Sequence, residues 1–178
     1  MSSGITAQRS GPRRAIIIFD SRYGHTERIA KSFETGLKQA GVEAICINSK
    51  ELQSLESLKE FDLIAVGAPT EKITASESIK EFLDRIDGVD LRGRSGFAFD
   101  TKLSYPLSGS AAKYIEKKLK NVGLEMIMPR SNSIVIPLKE AKEEGGVKLK
   151  EGEEKRFEEI GFEVGKVLAS KGKEAIPA

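Results

Sequence analysis

The stretch Ser21-Arg22-Tyr23-Gly24-His25-Thr26 gathers two aliphatic hydroxyls, a guanidinium and an imidazole around one glycine, directly after the apolar run Ala15-Ile16-Ile17-Ile18-Phe19. Ile29, Phe33 and Leu37, spaced four apart, mark a helix that begins where this stretch ends. The first turn of a helix leaves N–H groups without intrahelical acceptors, and the helix dipole favours negative charge there. With Ser21 and Thr26 beside such a turn, the bend is a cradle for a phosphate, and Arg22 either pairs with that phosphate or faces solvent.

Two further segments stand at the ends of apolar runs. Gly67-Ala68-Pro69-Thr70-Glu71 follows Leu63-Ile64-Ala65-Val66, and Asp100-Thr101-Lys102-Leu103-Ser104-Tyr105 follows the run over 94–99. They offer hydroxyls, carboxylates, an ammonium and an aromatic ring. No Ser/His/Asp arrangement accompanies them, so they read as binding groups and no catalytic residue is assigned.

The elements that must position these segments follow from periodicity. Strands are expected over 14–19, 42–47, 63–67 and 94–99, with a fifth strand split or extended over 124–128 and 133–136. The first helix closes at Gly41, and Leu52, Leu55 and Leu58 suggest a short helical connection ending near Glu60. Ile79, Phe82, Leu83 and Ile86 form the apolar face of a helix from Ser76; Ala111, Ile115, Leu119 and Val122 that of another, starting over 108–110 and ending at Gly123. Phe157, Ile160, Val164, Val167 and Leu168 share one face of the last helix. Such alternation implies an α/β fold with a doubly wound parallel sheet and right-handed crossovers. A single domain is expected over 14–170, with a polar tail over 1–13, a second tail over 171–178 and a charge-rich surface excursion over 139–153.

At these residues a family resemblance enters. Ser21-x-x-Gly24-x-Thr26, followed by Glu27 and an apolar helix, resembles the FMN-phosphate loop of the flavodoxin family, usually Ser or Thr, x, Thr, Gly, Asn, Thr. Gly67-Ala68-Pro69-Thr70 resembles that family's Gly-x-Pro-Thr loop after the third strand, and 100–105 holds the place of its other flavin-lining loop. The resemblance covers 14–170. It implies a flavodoxin-like five-stranded parallel sheet of order 2-1-3-4-5 with helices on both faces, and a ligand crevice where the chain reverses between strands one and three. It also implies FMN as cofactor. Ser21, Arg22, Tyr23, Gly24, His25 and Thr26 would hold its phosphate, and Ala68, Pro69, Thr70, Glu71, Asp100, Thr101, Lys102 and Tyr105 would line its ring. The implied activity is electron transfer with a redox protein partner or a small-molecule donor or acceptor. An NAD(P)H or quinone oxidoreductase of the same fold is the enzymatic alternative, and a binding module that has lost FMN the non-catalytic one.

The chain departs from the family pattern in three ways. Tyr23 and His25 stand where Thr and Asn are usual, there is no tryptophan to face the flavin, and 29 basic residues against 27 acidic ones replace the usual acidic excess. Tyr105 is the aromatic substitute, stacking on the ring or covering the adjacent helix. Plainer readings stand beside the others. His25 is expected to face solvent and to contribute mainly its backbone N–H. Glu71 and Asp100 either tune the flavin or cap loops. Lys113, Lys117, Lys118 and Lys120 are expected to form a solvated helix face, with docking of an acidic partner as the alternative.

Composition sets further bounds. The net charge of +2 lacks the basic excess of a nucleic-acid binder, and no apolar run is long enough to span a bilayer, so neither nucleic acid nor membrane insertion is expected. Cys46, the one cysteine, cannot form an intramolecular disulfide and is expected to pack as a small hydrophobe, which suits a reducing cytoplasm. One Cys and one His leave no metal-ligand cluster in the sequence. A phosphorylation receiver shares the sheet order but needs a phosphorylatable Asp after strand three, where this chain has Gly67-Ala68-Pro69. Oligomeric state is left open.

Overall fold

The computed structural model describes residues 11–138 and 146–171. The expected tails up to residue 10 and from residue 172, and residues 139–145 of the expected excursion, lie outside the described residues. In chain order the strands are β1 Arg14–Phe19, β2 Glu43–Asn48, β3 Leu63–Glu71, β4 Thr74–Ala75, β5 Ser95–Leu103, β6 Glu125–Met126, β7 Ser131–Pro137 and β8 Val147–Leu149. The α-helices are α1 His25–Gln39, α2 Glu77–Arg85, α3 Ala111–Asn121 and α4 Glu153–Lys171.

Five strands form a parallel ladder in the order β2-β1-β3-β5-β7, which is the expected 2-1-3-4-5 sheet. β8 adds an antiparallel strand beside β7, so part of the expected excursion is sheet. The split fifth strand is also real. β6 pairs with the start of β5 at Ser95 and Gly96, whereas β7 pairs with its end from Phe99 to Leu103.

Because side chains alternate along a strand, each central strand feeds two cores. Ile16, Ile18, Ile64 and Val66 face α2 and α3, while Ala15, Ile17, Leu63 and Ala65 face α1 and α4. On the second face Phe33 stacks on Phe97 with centroids 4.9 Å apart, and Phe99 packs against Phe157 at 5.9 Å. Gly67 makes this packing possible: a Cβ there would lie 2.1 Å from the Phe99 ring. Cys46 is half-buried against the same core, and burial pushes its thiol up to about 12. Arg13, inside the expected N-terminal tail, is already tied to the sheet through Asp62 and through its carbonyl, which accepts from the Glu43 N–H.

The structure corrects two boundaries that shape the site. β3 runs to Glu71 and β5 to Leu103, so the expected loop residues 68–71 and 100–103 are strand. The reason is register: Ala68 pairs beside Asp100 and Pro69 beside Thr101, which carries the ladder past the expected ends. Pro69 is tolerated near the end of its strand, where the loss of one N–H costs little.

Candidate functional site

The first bend is closed by its own residues. The Asp20 N–H donates to the Gly67 carbonyl at 3.1 Å, tying the end of β1 to β3, and the Gly24 N–H donates to Ser21 Oγ at 3.0 Å. Gly24 has φ +90°, a conformation that L side chains rarely adopt, and it stands at the N-cap of α1. Thr26, in the first turn of α1, is buried, and its Oγ1 lies 2.9 Å from Thr101 Oγ1 at the end of β5. This contact fixes the start of α1 to the end of β5.

A cavity of about 320 Å³ lies at the carboxyl ends of β1, β3 and β5. Ser21, Arg22, Tyr23, His25 and Thr26 line it from the first bend; Pro69, Thr70 and Glu71 from β3; Thr101, Lys102 and Tyr105 from β5 and the chain after it. Eleven of the fourteen sequence candidates therefore converge, and Gly24, Ala68 and Asp100 do not line the cavity.

Asp100 and His25 require correction. Asp100 is completely buried and faces the α3 side of the sheet, so it is not a wall of the cavity. Its Oδ2 accepts from Ser110 Oγ at 2.7 Å, the Ala112 N–H at 2.9 Å and Thr70 Oγ1 at 3.2 Å; its Oδ1 accepts from Asn132 Nδ2 at 2.7 Å. Of its two sequence readings, the loop cap is the one the hydrogen bonds fit. It is a four-donor hub that joins β3, β5, β7 and the start of α3. Alternation explains the position, since Thr101 and Asp100 are neighbours on a strand and point to opposite faces. His25, expected to face solvent, is 7% exposed and lines the cavity, because α1 begins at His25 and its first turn packs down on the sheet end.

Six lining residues were not among the fourteen candidates: Lys72, Ile73, Ser108, Val135 and Val147, and Leu103, which lay inside the segment singled out over 100–105. Leu103 was accessible by period two from Thr101, given a strand that long. Lys72 and Ile73 are the two-residue turn of the β3–β4 hairpin, both at positive φ (44° and 68°), where Asn-Gly is the common signal. Val135 and Val147 reach the cavity through the antiparallel pairing of β7 with β8.

The lysine run on α3 divides. Lys118 pairs with Asp84 and Lys120 with Glu116, whereas Lys113 and Lys117 make no ion pair among the described residues. The Arg22 guanidinium sits over the Tyr23 ring, 5.3 Å from its centroid. Among the described residues no group of three or more His, Cys, Asp or Glu is arranged to hold a metal, and no helix is long and apolar enough to cross a membrane.

Sheet order and cavity together define a doubly wound α/β protein with a pocket at its topological switch point. Comparison with known proteins carries this to a family. The flavodoxin family model matches residues 17–160. The type A flavoprotein fprA of Rhodobacter capsulatus is 30% identical over 133 residues, 72% of this chain and 29% of that protein. A flavodoxin of Clostridium saccharobutylicum is 32% identical over 85 residues, 48% of this chain and 53% of that protein. A solved flavodoxin from the domain Archaea shares the fold with a TM-score of 0.72 at 22% identity, over 88% of this chain and 99% of that one. The chain belongs to the flavodoxin family of FMN-binding redox proteins. It spans under a third of the first of these relatives and about half of the second.

Proposed function

We propose that the cavity binds FMN, phosphate toward the 21–26 bend and ring between the β3 and β5 ends, and that the protein passes electrons between redox partners. The observation that carries this is convergence: three separate chain segments close on one cavity and bring hydroxyls and a helix start together with Pro69, Leu103 and Tyr105. The donor set fits the cofactor. A phosphate monoester asks for N–H and O–H donors, and a tricyclic ring asks for a slot with apolar walls and a few polar edges.

Each residue has a derivable task. The first turn of α1 offers N–H groups and the positive end of the helix dipole to the phosphate. A hydroxyl donates once and accepts twice, so Thr101 donating to Thr26 leaves the Thr26 proton for a phosphate oxygen. Ser21 Oγ already accepts from Gly24 and keeps its own proton to give. Asp100 acts at one remove, holding Thr70 and the start of α3 in place behind the slot. FMN, when bound, supplies reversible one- and two-electron reduction. Lys102 and Glu71 both line the cavity and act oppositely on negative charge gained there, the first favouring it and the second opposing it.

A cytoplasmic setting goes with this reading, since Cys46 has no second cysteine to pair with. The test is an absorbance spectrum after incubation with FMN and removal of unbound flavin. Retained bands near about 370 and 450 nm are expected, and loss of all flavin colour overturns the proposal. Rapid oxidation of a reduced nicotinamide by the loaded protein alone would make it an oxidoreductase rather than a carrier.

A further inference from the structure

Exposed apolar side chains and unpaired cations collect at the same end of this molecule. Tyr23, Ile45, Ile73, Tyr105, Leu107 and Val167 are the exposed large hydrophobic residues among those described, and four of the six border the cavity mouth or sit in the loop beside it. Ile73 is 68% and Leu107 88% exposed, more than any ligand inside the cavity needs. An apolar centre of this kind with a charged rim is the anatomy of a protein interface.

The rim is cationic. Elsewhere most lysines and arginines are neutralised locally, as in Arg28–Glu154, Lys31–Glu27, Lys38–Glu34 and Lys166–Glu163. Lys72 and Lys102 line the cavity and make no ion pair among the described residues. Lys113, also without one, lies in the first turn of α3, three residues after Ser110, whose N–H donates to the Ile73 carbonyl at 3.3 Å. Glu71 is the one carboxylate lining the cavity among the described residues. The phosphate of a bound FMN would face Arg22 in the first bend and leave these three lysines on the β3 and β5 side.

We infer that the face formed by Ile73, Tyr105 and Leu107, with Lys72 and Lys102 at the cavity and Lys113 in the first turn of α3, docks an acidic redox protein over the cavity mouth. This rests on the FMN reading for its redox purpose. The contacts follow from charge and surface alone: carboxylates on the partner meet the three ammonium groups, and its apolar centre covers Ile73 and Leu107. Opposite charge raises encounter rate and suppresses basic partners.

The experiment uses the FMN-loaded chain, its loading verified by absorbance, titrated calorimetrically with two probes of opposite charge: oxidised rubredoxin, a small acidic iron protein, and oxidised cytochrome c, a small basic haem protein. The expected result is that rubredoxin binds at least about tenfold more tightly at low salt, and that raising salt from about 20 to 300 mM removes most of the difference. Lys72→Glu with Lys113→Glu should reverse the preference, and Lys155→Glu on α4 should leave it in place. Leu107→Ser should weaken rubredoxin binding several-fold without changing its salt dependence. A loaded protein that prefers cytochrome c, binds both probes equally or binds neither overturns the docking inference alone. A chain that retains no FMN instead defeats the reading beneath it.

Discussion

Asn132 Nδ2 donates to Asp100 Oδ1 at 2.7 Å, so the start of β7 is bonded to a fully buried carboxylate at the end of β5. With three more donors on Oδ2, the carboxylate acts only as an acceptor. Replacing Asp100 with Asn turns one side into a donor facing a donor. The expected cost is about 2–3 kcal/mol of stability in urea unfolding of the FMN-free chain. Adding Asn132→Asp restores a donor–acceptor pair and is expected to recover about half of that loss, with the coupling read from the double-mutant cycle.

Gly36 and Gly161 let α1 and α4 approach until backbone meets backbone. A Cβ at Gly36 would lie 1.9 Å from the Glu158 carbonyl oxygen, and one at Gly161 would lie 2.2 Å from that of Phe33. Neither obstacle is a flexible side chain. Gly36→Ala is therefore expected to lower stability by about 3 kcal/mol, measured as a shift of the denaturation midpoint.

The Lys72-Ile73 turn carries local strain. Left-handed backbone costs an ordinary residue about 1–2 kcal/mol, and Ile73 is β-branched. Lys72→Asn with Ile73→Gly supplies the preferred hairpin turn and is expected to stabilise the protein by about 1 kcal/mol in the same assay.

Glu153 gives the fold an acid limb. Burial opposes its charge, but Arg156 and the Ile134 N–H, which donates at 3.0 Å, outweigh burial and hold its carboxyl below the usual range. Arg156 in turn donates to the Asn132 carbonyl, fastening the start of α4 to β7. A group with a depressed folded pKa contributes fully above its unfolded pKa of about 4.3 and loses that contribution as pH falls through the folded value. Glu153→Gln should be less stable than the parent at pH 7, with the gap narrowing below pH 4; equilibrium unfolding across pH 3–7 measures this.

These relationships mark how far the sequence could be read. The strands, the helices and the three segments at the strand ends followed from apolar runs, spacing and turn residues, because each is a local signal, whereas the strand order and most of the cavity lining came through the family resemblance. Asp100 was assigned to the cavity because the ladder between β3 and β5 runs further than apolarity suggests, and one residue of register exchanges faces. His25 was assigned to solvent because helix packing, not sequence, sets which side of a first turn is covered. Val135 and Val147 stand on β7 and β8, and which strand a short apolar run pairs with is set by tertiary packing.

The central claim is a phosphate cradle built from Ser21 and Thr26, and comparing FMN with riboflavin isolates it, since only FMN carries a phosphate. Fluorescence titration of the flavin-free chain is predicted to show FMN binding at least about a hundredfold more tightly than riboflavin, about 2.7 kcal/mol. Changing Ser21 and Thr26 together to Ala should shrink that ratio about tenfold or more while leaving riboflavin affinity nearly unchanged. Equal affinity for the two flavins in the parent chain, or a ratio unmoved by the double substitution, would contradict the account.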